Sequence, residues 1–251
     1  MGKQLGIINV RGAVGDMLFR KTEDGYFVGR KSSVTGDRIK SDPTYKNTRK
    51  AMAEFGRAAK AGKLLRDAIL IQLSTAADSK QSSRMLKTMM QALVADTDHK
   101  LGLRTVQDGE MGFLEGFEFN RKREMNNTFL VQYATAIDRP SGKVTVDIPG
   151  FIPEEVLLVP EDATHFRIFS GACELDFEPG NSVLGKDETD YIPLGEAPVA
   201  AVSLLNQVTP ASTLPIVLVV GVRFYRLVSG SYNLLHGDKF DAMRILKVDQ
   251  P

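Results

Sequence analysis

The sequence predicts an α+β protein: an N-terminal β-meander with two helices over residues 1–124, then an Ig-like antiparallel β-sandwich over residues 125–251. Three observations predict it. Ser41-Asp42-Pro43 is a helix-start signal, and a long stretch of helical spacing follows it. After the charged group Arg121-Lys122-Arg123-Glu124 the hydrophobic period changes to two, which places the expected boundary there. The remainder holds about seven short strand-like runs separated by turn residues, the pattern of an Ig-type sandwich.

The meander comes first. Leu5 to Val10 is apolar and β-branched, and Met17–Thr22 and Tyr26–Lys31 flank Glu23-Asp24-Gly25, where Asp-Gly supplies the positive φ of a tight hairpin. Gly12 and Gly15 suit the preceding turn, and Gly29 suggests a bulge or a close backbone approach. Three short strands bury too little apolar area to be stable alone, so they must pack on something else.

The helices follow. Asp42 or Ser41 can accept the orphan N–H groups, and Pro43 suits the first helical position. To about Leu73, the residues Ala51, Phe55, Ala58, Ala59, Gly62, Leu65, Ile69 and Leu73 fall near one face. A second helix begins near Ser82, with Met85, Leu86, Met89, Met90, Leu93 and Val94 as its core stripe. Residues 101–123 read as an extended connector. Candidate strands then lie at 129–138, 143–148, 155–159, 165–177, 199–205, 216–227 and 242–248. Pro140-Ser141-Gly142, Pro179-Gly180-Asn181 and Ser229-Gly230-Ser231 supply turns between several of them.

Composition bounds the function classes. With 251 residues, 43% hydrophobic and 25% charged, the chain is neither disordered nor collagen-like. Its single cysteine, Cys173, excludes a disulfide framework and reads as a small buried hydrophobe. The longest strongly apolar run, Leu214 to Val222, contains Pro215 and Gly221 and is far short of the roughly 20 residues of a spanning helix. Asn9 and Arg11 interrupt the place where a signal peptide carries its apolar core. The expectation is a cytoplasmic chain, one exported without an N-terminal signal, or one already trimmed.

Catalytic and cofactor signatures fail one by one. Gly56 to Lys63 has five residues between its glycines and lies within a helix, so it is not a phosphate loop. Asp96-Thr97-Asp98 starts like a calcium loop, but Lys100 and Leu101 stand where a ligand and a glycine belong. Gly180 to Gly185 misses the nucleophile elbow by one residue. His99, His165 and His236 are too far apart for helical metal-ligand spacing. We therefore expect no enzyme, no cofactor and no metal.

Some residues carry a resemblance. They are Asp42-Pro43-Thr44-Tyr45-Lys46-Asn47-Thr48-Arg49, Ala53 to Ala58, Ala61 to Arg66, Gly12-x-x-Gly15-Asp16, Asp24-Gly25-Tyr26, Thr164-His165-Phe166 and Phe224-Tyr225. With these the chain resembles a family of uncharacterised proteins common in the Bacteroidetes. The resemblance implies a bacterial origin and a two-part architecture; it implies no activity, cofactor or catalytic residue.

Charge is distributed unevenly. Residues 1–70 carry 15 Lys+Arg and 7 Asp+Glu, whereas residues 131–251 carry 9 and 16. Opposite ends favour head-to-tail contact, the interface type that generates open chains or rings. The function this predicts is a non-enzymatic structural protein that self-associates, a subunit of an extracellular filament or particle. The alternative is a binding module whose basic N-terminal segment holds nucleic acid or another polyanion. Under either reading the contact residues are Arg11, Arg20, Lys21, Arg30, Lys31, Arg38 and Lys40, near the aromatics Phe19, Tyr26 and Phe27. A carbohydrate-binding sandwich is disfavoured, since Trp is absent and no aromatic platform is marked.

Overall fold

The computed structural model describes residues 2–6, 8–22, 24–32, 34–73, 78–235 and 241–251, with 70–73 described by backbone alone. Ile7, Glu23 and His236, which the sequence reading invoked, lie outside the described residues. The chain divides into two compact units, Met1–Lys50 and Ala51–Pro251.

In the first unit, β1 (Gly2–Lys3), β2 (Gly12–Val14), β3 (Met17–Thr22) and β4 (Gly25–Arg30) form an antiparallel sheet of order β1-β4-β3-β2. The β3–β4 hairpin is the expected one: Thr22 pairs with Gly25, which takes φ +121°. Gly15, at φ +55°, turns the chain between Val14 and its partner Met17. Two expectations are corrected. Among the described residues of Leu5 to Val10 there is no strand: the Gln4 side chain takes both main-chain groups of Val10, accepting its N–H at 3.0 Å and donating to its carbonyl at 3.3 Å. Gly29 pairs with Leu18 in unbroken register and makes no bulge.

A short helix α1 (Gly36–Ser41) follows, its start capped by the Thr35 hydroxyl accepting from the Arg38 N–H. At Asp42-Pro43 the sequence signal works as read. The Asp42 carboxylate accepts from the Thr44 N–H, a 3-10 turn spans Pro43–Tyr45, and α2 (Lys46–Leu73) continues from it.

The second unit is layered. Helix α2 and helix α3 (Gln81–Val94) lie on one face of a large antiparallel sheet. Its centre is β7 (His165–Asp176) paired along β11 (Ile216–Val228). The far edge of β7 pairs with β8 (Asn181–Glu188) and β9 (Ile192–Pro193), and the far edge of β11 with β12 (Ser231–Leu234) and β13 (Ala242–Asp249). Against the other face packs a smaller antiparallel sheet of β5 (Ala134–Asp138), β6 (Lys143–Ile148) and β10 (Val202–Gln207), in the order β10-β6-β5. Single-turn helices α4 (Met125–Thr128) and α5 (Pro153–Val156) punctuate the connections. No described helix is long and apolar enough to cross a membrane.

Residues of β7 and β11 alternate between two cores. Phe169, Cys173, Leu175, Val217 and Val219 meet Leu65, Met85, Met89 and Leu93 of the helices. Ile168, Ala172, Leu218, Val220 and Val222 meet Val144, Val146, Ile148 and Leu204 of the small sheet. Strands covered on both faces read as continuous apolar runs, which is why Ile216 to Val222 lacks alternation. The same packing explains why the division falls at residue 50 rather than at 124/125. The helices share a core with β7, β11 and β13, so the change of period marks a change of element within one unit.

Helix α2 shows a further correction. Its covered face is Glu54, Ala58, Ala61, Leu65 and Ile69, while Phe55 is 53% exposed. Glu54 is buried because its carboxylate accepts the Gly102 N–H at 2.7 Å, and Arg57 donates to the Arg104 and Gly102 carbonyls. This polar pair pins the loop after α3, so that Glu54 rather than Phe55 lies on the covered face of α2. Of the stripe expected on α3, Met85, Met89 and Leu93 are fully buried and Leu86 and Met90 partly so, but Val94 is 52% exposed.

Candidate functional site

The sequence-predicted contact residues all fall in the first unit. In an antiparallel sheet directly opposed residues share a face, so the register sorts them. One face carries the rows Val14–Met17–Arg30, Gly12–Phe19–Val28–Gly2 and Lys21–Tyr26; the other carries Ala13–Leu18–Gly29 and Arg20–Phe27–Lys3. The first face is thus an apolar strip with Arg30 at one end and Lys21 at the other. None of the described residues of Met1–Lys50 is buried. Val14 is 62% and Met17 45% exposed.

The structure brings only some of the predicted basic residues together. Arg11 and Lys21 converge over the Tyr26 ring, each 5.7 Å from its centroid. Arg30 stands beside Met17 on the same face, whereas Arg20 is on the opposite one. Lys31 follows β4, and its N–H donates to the Asp16 carbonyl. Arg38 is in α1, paired with Asp42 at 3.3 Å and lying over Tyr45, and Lys40 is exposed near the end of that helix.

Three clusters in the second unit were not assembled by sequence reasoning. Asp96, His99 and Asp108 bring ligand-type atoms within 4.8 Å of one another. The buried Asp96 carboxylate is already occupied, accepting from the N–H groups of Asp98, His99 and Thr105 and from the His99 ring. Burial works against its ionised form, but these donors outweigh it and hold the carboxyl below the usual range. The cluster staples the loop after α3, and we read it as structural.

The second is a polar cleft of about 660 Å³ that includes Lys87, Glu118, Arg121 and Arg244. Burial pushes the Glu118 carboxyl up to about 7, against the Met125 N–H and the Arg244 charge, which pull it down. A desolvated carboxyl in a cleft is a standard marker of a functional site. Here its geometry has a structural account: Glu118 accepts the Met125 N–H at 3.0 Å, at the start of α4, and faces Arg244 at 3.9 Å. Nearby, Asp78 holds both oxygens 2.7 Å from Arg84 and also accepts the Arg121 and Lys80 N–H groups. Burial raises its carboxyl, yet these partners bring it down to about 2.

The third cluster is aromatic. Tyr191 and Tyr232 stack 3.9 Å apart and 4° from parallel, with Arg167 over Tyr191 and His165 edge-on to Tyr232, each at 4.9 Å. These rings are remote in sequence, and only the pairing of β9 and β12 onto the large sheet brings them together. Engaged with each other and with Arg167, they join the segment after β8 to β12. Cys173 is fully buried, with its thiol pushed up to about 12 by burial and by Glu174, and so has no nucleophilic character.

Comparison with protein-family models, curated proteins and solved structures finds no match to this chain.

Proposed function

We propose that this protein is a non-enzymatic structural subunit that self-associates head-to-tail into a filament or particle, its N-terminal sheet forming part of the contact. One observation carries the reading: a sheet whose face bears Val14, Met17, Phe19, Tyr26 and Val28 sits in a unit none of whose described residues is buried. A sheet of this size is marginal until one face is covered. Full burial of each large apolar side chain contributes about 1.5–3 kcal/mol, from which the cost of association must be subtracted. A second copy of an acidic-ended chain is a fitting cover for this basic unit. The resemblance to the Bacteroidetes family belongs to the same proposal and adds a bacterial source.

The second unit fits such a subunit if its paired sheets are read as an Ig-like sandwich. Lettering β5, β6, β7, β8, β10, β11 and β13 as A to G gives A-B-E facing D-C-F-G. The constant-type Ig order is ABED facing CFG. The present order differs only in the D strand, which joins the opposite sheet.

Light-scattering mass over a concentration series, at low and high salt, tests self-association. Growth into large species that weakens with salt is the expected result. Phe19→Glu is expected to raise the concentration needed for assembly at least about 30-fold, the scale of one interface hot spot. Arg20→Glu, on the other face, should act mainly through charge and shift the salt dependence. A constant single-chain mass would overturn the proposal. If that monomer captured a labelled oligonucleotide with affinity falling steeply in salt, polyanion binding by Arg11 and Lys21 would take its place.

A further inference from the structure

The polar cleft that holds Glu118 opens into a second, apolar depression. Lys87, Gln91 and Phe113 line both, and Met90, Val94 and Ala95 complete the second, which is about 490 Å³ in volume. The shared residues make one trough along α3, with Phe113 supplied by the 3-10 turn Met111–Leu114. One end of it is apolar and open to water. Met90 and Val94 stand one helical turn apart, and Val94 and Phe113 are each more than half exposed. Lys87 is the only charged residue of this end. Apolar side chains left in water beside a polar cleft are a common sign of a contact site.

The other end is short of negative charge. Among the described residues the Lys87 and Arg121 side chains make no hydrogen bond or ion pair. Arg244 donates through Nη1 to the Asn126 side chain, but it faces Glu118 only at 3.9 Å, beyond hydrogen-bond reach. Its Nε is buried and finds no partner among the described residues. Glu118, pushed up to about 7 by burial, carries only part of a charge at neutral pH and so leaves Arg244 incompletely balanced. The two other carboxylates of the cleft are engaged elsewhere: Glu115 accepts the Val248 N–H and Glu124 accepts from the Asn127 side-chain amide. The fourth cation, Arg84, is already held by Asp78.

We propose that this trough binds a small aliphatic carboxylate, with its head among Lys87, Arg121 and Arg244 and its chain along Met90, Val94 and Phe113. Charge complementarity selects the head. Three cations face two ionised carboxylates and one partly ionised, so a single added negative charge completes the balance, and guanidinium groups offer a carboxylate paired donors. The apolar end selects the tail, since Met90, Val94 and Ala95 give a narrow aliphatic strip on one turn of α3. A site of this kind, mostly apolar with a few polar groups that fix orientation, is the usual form of a small-molecule pocket. The assignment is independent of self-association.

Titration calorimetry of the full-length protein with octanoate tests the site. One site with a Kd below about 1 mM is expected. Acetate, which has the head without the chain, and 1-octanol, which has the chain without the charge, should each bind at least about tenfold more weakly. Lys87→Glu and Val94→Gln change exposed positions on α3, so both should keep the parent circular-dichroism spectrum while weakening octanoate at least about tenfold. No binding of octanoate at about 10 mM, or binding that both variants leave unchanged, would overturn the site. If 1-octanol bound as tightly as octanoate, the role given to the cations would fall. If 3-phenylpropionate bound more tightly than octanoate, the aliphatic tail would be the wrong assignment.

Discussion

Gly221→Val is expected to unfold the protein at room temperature or leave it marginally stable. A Cβ at Gly221 would lie 2.2 Å from Cζ of Phe169 and 2.6 Å from the Ala242 carbonyl oxygen. Neither neighbour can give way cheaply. The Phe169 ring is buried between the large sheet and the helices, and the carbonyl belongs to β13, whose pairing with β11 holds it. Overpacking a core typically costs about 1–3 kcal/mol when side chains alone must shift, and more when backbone must move. Against a typical total of about 5–15 kcal/mol, a loss of about 4 kcal/mol or more is therefore expected. Urea unfolding followed by circular dichroism reads it as a fall in the midpoint. Gly56→Ala supplies the contrast. That glycine is exposed within α2 and its added Cβ meets nothing within 4 Å, so the same measurement should show a gain of about 1 kcal/mol. A Gly221→Val protein as stable as the parent would mean that the contact between β11 and Phe169 is looser than drawn.

Those two glycines also show where the sequence is readable and where it is not. Gly25, Gly15 and Asp42-Pro43 act through local geometry, and the hairpin, the turn and the helix start fall where residue chemistry puts them. The burial of the Met85–Met89 stripe follows from period alone. Gly221 looks like a mere interruption of an apolar run, because its role depends on a phenylalanine brought opposite by pairing across the sheet. Leu5 to Val10 fails for a related reason. Its β-branched composition is sound evidence for a strand, but one side-chain amide, Gln4, competes successfully for the main chain of Val10. A change of hydrophobic period reports a change of element, whereas the compact units Met1–Lys50 and Ala51–Pro251 follow which cores are shared. For the candidate site, the basic and aromatic residues of the N-terminal hairpin could be named from sequence. Their sorting onto two faces required the register of the strands.

Asp241→Asn is expected to stabilise the protein at pH 8 and to have little effect near pH 4. Asp241 is fully buried, and neither of its carboxylate oxygens finds a hydrogen-bond partner among the described residues. Burial pushes its carboxyl from 3.8 up to about 7, while the charges of Arg223 and Arg123 pull the other way. Between those two values the folded protein keeps a proton that the unfolded chain has released, so stability falls as pH rises through that window and levels off above it. At 1.36 kcal/mol for each pKa unit, the ionised Asp241 costs the fold about 4 kcal/mol at pH 8. An asparagine has the same shape and no charge to bury, so it removes that cost and leaves the low-pH state nearly unchanged. Glu118, also raised to about 7, gives the parent protein a slope of the same sign. Comparing parent and variant at each pH cancels that shared contribution. Unfolding midpoints measured from pH 4 to pH 9 should therefore diverge with increasing pH and run parallel above about pH 8. Curves that stay parallel throughout would show that Asp241 ionises in the folded state as easily as in water.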